Sequence, residues 1–520
     1  MTGAATVVGP SLLGLLADPR MASAVGSLLD GPTQAAVAAC GITTGAGKIP
    51  FICFDLAGGG NIAGSNVLVG GPKGQLDFLS VAGYSKLGLP GSMVPNPSTT
   101  GNFIDATFGL RYHSDSAHLR GMKARVKTAT ALTNTTGTII PALSQNDTNV
   151  NPHNPMYGIY AYGARGGLLN LIGSASSMSG GNSMSPMSMM IPSAAPVKIS
   201  GASDSKGLVS TGQLTTLLPP LPNGTNPDVV NVMESMKRIS DAKYPQVQAY
   251  DTGTTAGAAL NTAALGSAGI QACSYTKSAY IVDKYGSPSS VNPDVDPNIV
   301  GPSGIFTQAE YDASSDFQKT AAVMKLVIDG NAAAGTIEMG GFDYHTGDRM
   351  TGEARDFNLG NCIGAVLEYA ARVNKPVMIY VFSDGSLASS GMIDNSVGGR
   401  GKGVWTGDNQ NVAATYFLVF DPKGKPVSTH VTSPESSLQI GYFNSDGGLN
   451  TSGSPAGNNV FNLVQMVVLN YIALHGAGAE NAFASLYPTP NLNNTLGTGS
   501  TLTPLIAYQP LASVVNGKVT

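Results

Sequence analysis

The stretch from Asp316 to Gly385 constrains the fold more than any other. Residues 316 to 331 place Phe317, Ala321, Met324, Leu326 and Ile328 near one helical face and stop at Gly330. A strand-like run, Thr336-Ile337-Glu338-Met339, follows and breaks at Gly340-Gly341. Residues 354 to 374 repeat the helical spacing (Phe357, Leu359, Ile363, Val366, Leu367, Ala370), and 376 to 385 read as a second apolar strand ending on Asp384. Two helix–strand units in succession predict parallel strands with right-handed crossovers. The expected class is α/β, with a mainly parallel central sheet, helices on both faces and a large loop-rich insertion.

Sheets of that kind hold ligands outside the carboxyl ends of their strands. Asp343 and His345 sit just past the first strand and Asp384 just past the second. A third unbroken apolar run, residues 49 to 56, reads as a buried strand carrying Asp55 near its end. With that strand parallel and adjacent, Asp55, Asp343, His345 and Asp384 share one edge. Carboxylates and an imidazole together suit a divalent cation such as Ca²⁺, Mg²⁺ or Zn²⁺.

The rest of the chain divides by composition. Residues 1 to 48 read as a helical arm with short helices at 11 to 16, 21 to 29 and 33 to 40, and 49 to 165 as the first part of the core. Residues 166 to 304 read as the insertion, 305 to 480 as the second part of the core, and 481 to 520 as an extended tail over the surface. Within the insertion, 229 to 242 has the spacing of an amphipathic helix, and the Met- and Ser-rich stretch 174 to 190 reads as a loop lying on apolar surface. The apolar stretch 460 to 474 carries Asn462, Gln465 and Asn470 and is too short and too polar to span a bilayer, so a buried helix is expected. Pro10 to Ala17 is apolar but short and is followed by Arg20, which does not fit a secretory or twin-arginine signal.

Only 12% of the 520 residues are charged, about half the usual share, while 66 are glycine. Copies of such a chain approach one another with little charge to desolvate, which suits regular assemblies and extracellular proteins. Lys123, Arg125 and Lys127 form the one basic cluster, so no nucleic-acid partner is expected. The four cysteines, at 40, 53, 273 and 362, are far apart. Neither a zinc cluster nor a disulfide framework is indicated, and Cys53 and Cys362 read as buried thiols.

Two glycine motifs are set aside. Residues 41 to 48 imitate a phosphate loop but have Ala46 where glycine is needed, and a strand follows. Gly58-x-Gly60-x-x-Ala63 imitates a dinucleotide fingerprint but leads into the strand-like Asn66-Val-Leu-Val-Gly-Gly71. Those glycines can instead shape an ion or anion site with bare backbone N–H groups. His113 and His118 lie beside a helix start expected near Ser116, capped by Ser114 or Asp115. His153 stands between two prolines, a setting that predicts exposure.

The run from Asp316 into Gly340-Gly-Phe-Asp-Tyr-His345, a helix, and then Val381-Phe-Ser-Asp-Gly385 resembles the alkaline-phosphatase/sulfatase superfamily. The closer likeness is to its poorly characterised sulfatase-like branch, usually exported by a twin-arginine signal. Gly58 to Asn66, Phe108-Gly-Leu110 and Asn151-Pro-His-Asn-Pro155 fall where that branch has matching segments, so the resemblance covers roughly residues 50 to 170 and 310 to 420. It implies metal ions clamping an oxyanion while a hydroxyl or modified thiol attacks phosphorus or sulfur. Carried over, Asp55, Asp343, His345 and Asp384 would be metal ligands, and Ser65 and His153 candidate catalytic residues. The chain departs from the pattern where Asp384-Gly385 replaces an Asp-His pair and Thr406-Gly-Asp-Asn409 replaces a Thr-Asp-His-Gly segment. The expectation is therefore a catalytically degenerate relative serving as a structural, self-assembling component, a homo-oligomer or filament, outside the cell or at its surface. The alternatives are a metal-dependent phosphoric or sulfuric ester hydrolase and a surface ligand-binding protein.

Overall fold

A computed structural model describes residues 27–40, 42, 45–96, 102–144, 151–210, 214–251, 273–408, 410–488 and 494–520. The chain forms two compact units, Met1–Thr43 with Ser205–Asn292 and Thr44–Asp204 with Pro293–Thr520.

The larger unit is built on a seven-stranded sheet. Its strands are β1 (Phe51–Leu56), β2 (Thr135–Pro141), β3 (Leu169–Gly173), β4 (Val197–Lys198), β5 (Ala332–Met339), β6 (Val377–Ser383) and β9 (Ala414–Phe420). A separate hairpin, β7 (Leu387–Asp394) with β8 (Lys402–Asp408), stands between β6 and β9. The sheet order is β2-β9-β6-β1-β5-β3-β4. Strand β1 is parallel to β5 on one side and β6 on the other, and β3 is parallel to both β5 and β4. Only β9 is reversed, antiparallel to β6 and to β2, so β2 points with the rest. The α/β architecture expected from the helix–strand repeats is the one observed. Strands β3 and β4 lie inside the stretch taken for a loop-rich insertion. They are short and flanked by Gly and Ser, so their apolar pattern does not stand out.

Burial explains the strand sequences. Every residue of β1, β6 and β9 is buried, as continuous apolar runs require. Alternate residues serve opposite faces. Phe51 and Cys53 of β1, Met378, Tyr380 and Phe382 of β6, and Phe417 and Val419 of β9 share a core with Leu463, Val464, Val467 and Leu474. The latter come from α7 (Val460–Ala473) and its C-cap. On the other face α5 (Ser315–Ile328) lies against β5: a Cβ on Gly335 would sit 2.5 Å from Val323 Cγ1, so only glycine lets the helix come this close. Helix α6 (Met350–Arg372) connects β5 to β6.

Helix α7 carries apolar residues around its circumference, with Asn462, Gln465 and Asn470 among them, because nearly all of it is covered. Among the described residues no helix is long and apolar enough to cross a membrane. Its covering corrects one expectation. Leu502, Leu505, Ile506, Ala507, Tyr508 and Leu511 of the tail belong to the core rather than to the surface. Asn470 of α7 holds that tail: its Nδ2 donates to the Leu505 carbonyl at 2.9 Å and its Oδ1 accepts the Ala507 N–H at 2.8 Å. Other local expectations also shift. Helix α2 (Ala117–Arg125) is capped by Ser116, not by Ser114 or Asp115. Residues 66 to 71 form no strand, and Val67 makes only isolated bridges to Ala63 and Tyr112.

In the smaller unit, α1 (Gly31–Ala39) and α4 (Pro227–Asp251) are described together with a helix over 273–285. The expected helix at 33 to 40 and the amphipathic helix at 229 to 242 are both present. The expected helix at 11 to 16 lies outside the described residues, as does most of that at 21 to 29. Leu29, Val229, Val230, Met233, Ala279, Tyr280 and Val282 make a small core. A disulfide joins Cys40 to Cys273, Cα to Cα 5.2 Å, although the cysteine spacing indicated no disulfide framework. A spacing of 233 residues gives no local signal, and so small a core gains much from a staple. Cys53 and Cys362 are free and buried, as expected.

Candidate functional site at the carboxyl end of the sheet

Because β1 lies between β5 and β6, the loops after the three strands leave the sheet side by side. Asp55, near the end of β1, and Asp343, His345 and Asp384, in the loops, come to one end, as the topology predicts. There the four residues divide into a sealed pair and an exposed pair.

Asp55 and Asp384 are the sealed pair, 0% and 3% exposed. Asp55 Oδ2 accepts the Ser183 N–H at 2.8 Å. Asp384 Oδ1 accepts the Gly58 N–H at 3.2 Å, and its Oδ2 accepts Asn182 Nδ2 at 2.6 Å. Asn151 Nδ2 donates to the Asp384 backbone carbonyl at 2.6 Å. Burial, and then the neighbouring Asp384 charge, push the Asp55 carboxyl well above the usual carboxylate range. Asp55 Oδ1 is buried with no hydrogen-bond partner.

The donors to this pair come from the 179–183 loop, which runs over the strand ends after β3. Its Gly181 lies directly on Asp55, since a Cβ there would fall 2.3 Å from Asp55 Oδ2. Ser177 Oγ donates to the Gly181 carbonyl at 2.6 Å and braces the turn. The sequence does not single out Asn182 and Ser183, which sit in a Ser- and Met-rich stretch without periodicity. Gly180-Gly181 followed by two short polar residues was the available signal.

His153 belongs to the same cluster and is buried, not exposed as its flanking prolines suggested. Its ring stacks on Phe382 at 6.1 Å between centroids. Its backbone N–H donates to Ser183 Oγ at 3.2 Å, and its Nε2 lies 3.0 Å from Asn151 Oδ1. Burial lowers the imidazole to about 3, which keeps it neutral near pH 7.

The exposed pair is Asp343 and His345, 61% and 32% exposed, with Asp408 of β8 beside them at 34%. His345 Nε2 is 2.6 Å from Asp343 Oδ1 and 3.7 Å from Asp408 Oδ2. Asp408 stands in the segment Thr406-Gly-Asp-Asn409, which holds no histidine, and approaches the His345 imidazole.

Gly58 is the seam between the two sets. Its φ is +124°, and a Cβ there would meet the Asp343 nitrogen at 2.4 Å. The glycine N–H groups are not free for an anion. Gly58 donates to Asp384, Gly59 to the Phe342 carbonyl at 3.3 Å and Gly60 to Ser383 Oγ at 2.8 Å.

Ser65 lies apart in its chemistry. It is fully buried, and its hydroxyl accepts from Asn61 Nδ2 at 2.5 Å and Arg349 Nη2 at 3.0 Å. Arg349 is itself held by Glu353 at 2.7 Å. Ser65 therefore completes a buried polar network, and among the described residues it makes no hydrogen bond to Asp55, Asp343, His345 or Asp384.

The sealed pair offers no open cation site. Three of the four oxygens of Asp55 and Asp384 already receive hydrogen bonds. Among the described residues no three His, Cys, Asp or Glu side chains converge as ion ligands. A zinc site is held by at least three such side chains.

No protein-family model matches the chain, and neither does any curated protein or solved structure.

Proposed function

We propose that the chain is a catalytically degenerate, sulfatase- or phosphatase-like protein that serves as a structural, self-assembling component outside the cell or at its surface. The observation that carries this reading is the closure of the carboxyl end of the sheet. Where ligands enter an open α/β sheet, Asp55 and Asp384 are buried beneath the chain's own loop and bonded to it. The candidate nucleophile Ser65 is equally out of reach. Among the described residues its hydroxyl meets two donors and no base, whereas an activated nucleophile needs an adjacent base or a depressed pKa. The low charge of the surface favours contact between copies. The Cys40–Cys273 bond supports folding in an oxidising compartment. Electron microscopy and light scattering of purified protein over a range of concentrations test the proposal. Ordered oligomers or filaments are expected, and a monomer at high concentration would refute it.

A second reading, a metal-dependent phosphoric or sulfuric ester hydrolase, is favoured by the half-exposed imidazole of His345 between the carboxylates of Asp343 and Asp408. Hydrolysis of nitrophenyl phosphate or sulfate with added Zn²⁺, Mn²⁺ or Ca²⁺, abolished in Asp343→Ala, would establish it.

A further inference from the structure

The 179–183 loop meets the two buried carboxyl groups in an ordered way. Ser183 gives a backbone N–H to Asp55, and Asn182 gives a side-chain amide to Asp384. Gly181 passes close enough to Asp55 that no side chain fits between them, and Gly180 rests on Gly173 at the end of β3, where a Cβ on Gly173 would fall 2.1 Å from the Gly180 Cα. The loop is tied at both ends, by Ser177 to the Gly181 carbonyl and by His153 N–H to Ser183 Oγ. Its placement is specified by small residues and paired donors, not by apolar burial alone.

We infer that this loop is a built-in occupant of the crevice at the strand ends, supplying by hydrogen bonds to Asp55 and Asp384 what a bound cation would supply by charge. The chain thereby closes its own ligand position. Opposed carboxyl groups in a buried site need compensation. A cation is one form of it, and directed N–H donors are another. The inference concerns the same crevice as the proposed function but does not need assembly: a monomeric protein would sink the assembly reading and leave the plug intact.

The two carboxyl groups then answer differently to conversion into amides. Both Asp384 oxygens face donors, so Asp384→Asn sets an NH₂ against the Gly58 N–H or, with its new carbonyl kept on Gly58, forces the Asn182 amide to turn over and present its oxygen. Asp55 Oδ1 faces none, so Asp55→Asn keeps its acceptor toward Ser183 without a donor clash. A third variant reverses the logic. Asn182 Nδ2 stands 2.6 Å from Asp384 Oδ2, and Asn182→Asp would put a third carboxylate there and create a demand for a cation.

The test is thermal unfolding of the full chain in EDTA and in Ca²⁺, Mn²⁺ or Zn²⁺. The wild-type midpoint is expected to be the same in all four. Asn182→Asp is expected to unfold early in EDTA and to recover by about 5 °C or more with at least one cation. Asp55→Asn is expected to lose far less than Asp384→Asn, with neither responding to ions. A wild type destabilised by EDTA, equal losses in the two amide variants, or an Asn182→Asp protein that folds and ignores every cation would each overturn the inference. Should Asn182→Asp fail to fold, the two amide variants decide.

Discussion

Two acidic clusters stand at the same end of the same sheet, one on each side of Gly58, and they have opposite fates. Asp55 and Asp384 are buried and have three of their four oxygens bonded by Ser183, Asn182 and Gly58. Asp343, His345 and Asp408 stand partly in solvent and hold one another. Both clusters hold carboxylates at or just past strand ends. What differs is the covering, which comes from the 179–183 loop more than a hundred residues away in the chain. A carboxylate at a strand end is thus a structural or a chemical group according to what lies over it. In water an ion pair is worth little, whereas a buried carboxyl must be satisfied locally.

The contrast predicts a ranked set of stability losses. Asp384→Ala removes the acceptor of the half-buried Gly58 N–H and of the Asn182 amide and leaves a hole at a buried position, and should cost about 2 kcal/mol in urea unfolding. A loss below about 1 kcal/mol would show that the pair is not sealed. Gly58→Ala strains the backbone and drives a methyl into the Asp343 nitrogen, and should cost about 2 kcal/mol. It should disturb both clusters at once, read as chemical-shift changes at His153 and His345 together. Asp343→Ala and His345→Ala, in the exposed set, should each cost less than about 0.5 kcal/mol. A larger loss would mean that the exposed set is structural after all.

Acidification sharpens the same contrast. The folded value of His153, about 3, lies below its ordinary 6.5. Its stabilising contribution is therefore full above about 6.5 and is lost as pH falls toward 3. The buried His475, also lowered to about 3, acts in the same direction. Asp55 has the opposite sign. Burial and Asp384 raise it well above 3.8, so its contribution is full below that value and is lost as pH rises through its folded pKa. Unfolding free energy measured from pH 7 to pH 4 should fall in the wild type and fall more steeply in Asp55→Asn. Parallel profiles would contradict the raised Asp55.

The sequence made the scaffold legible because the central strands and α5, α6 and α7 are long and periodic. Asp55, Asp343, His345 and Asp384 were placed at one sheet end from pattern and topology alone. What stayed hidden depended on contacts between distant segments. Asn182 and Ser183 gain their role only by lying over β1 and β6. His153 is buried by Phe382 and Ser183 in spite of its prolines. Cys40 and Cys273 meet across a span that carries no spacing rule. The tail enters the core through a few apolar residues set among Pro, Thr and Asn, a composition typical of surface chain. Ser65 shows the converse error: its loop was right, but Arg349 and Asn61 make its hydroxyl an acceptor.

The most direct test is a crystal structure of the full chain grown with excess Mn²⁺, with anomalous scattering measured at the strand ends. The account predicts no anomalous peak within bonding distance of Asp55 or Asp384, and Ser183 and Asn182 still bonded to them. A manganese ion between the two carboxylates, with the 179–183 loop displaced, would contradict it.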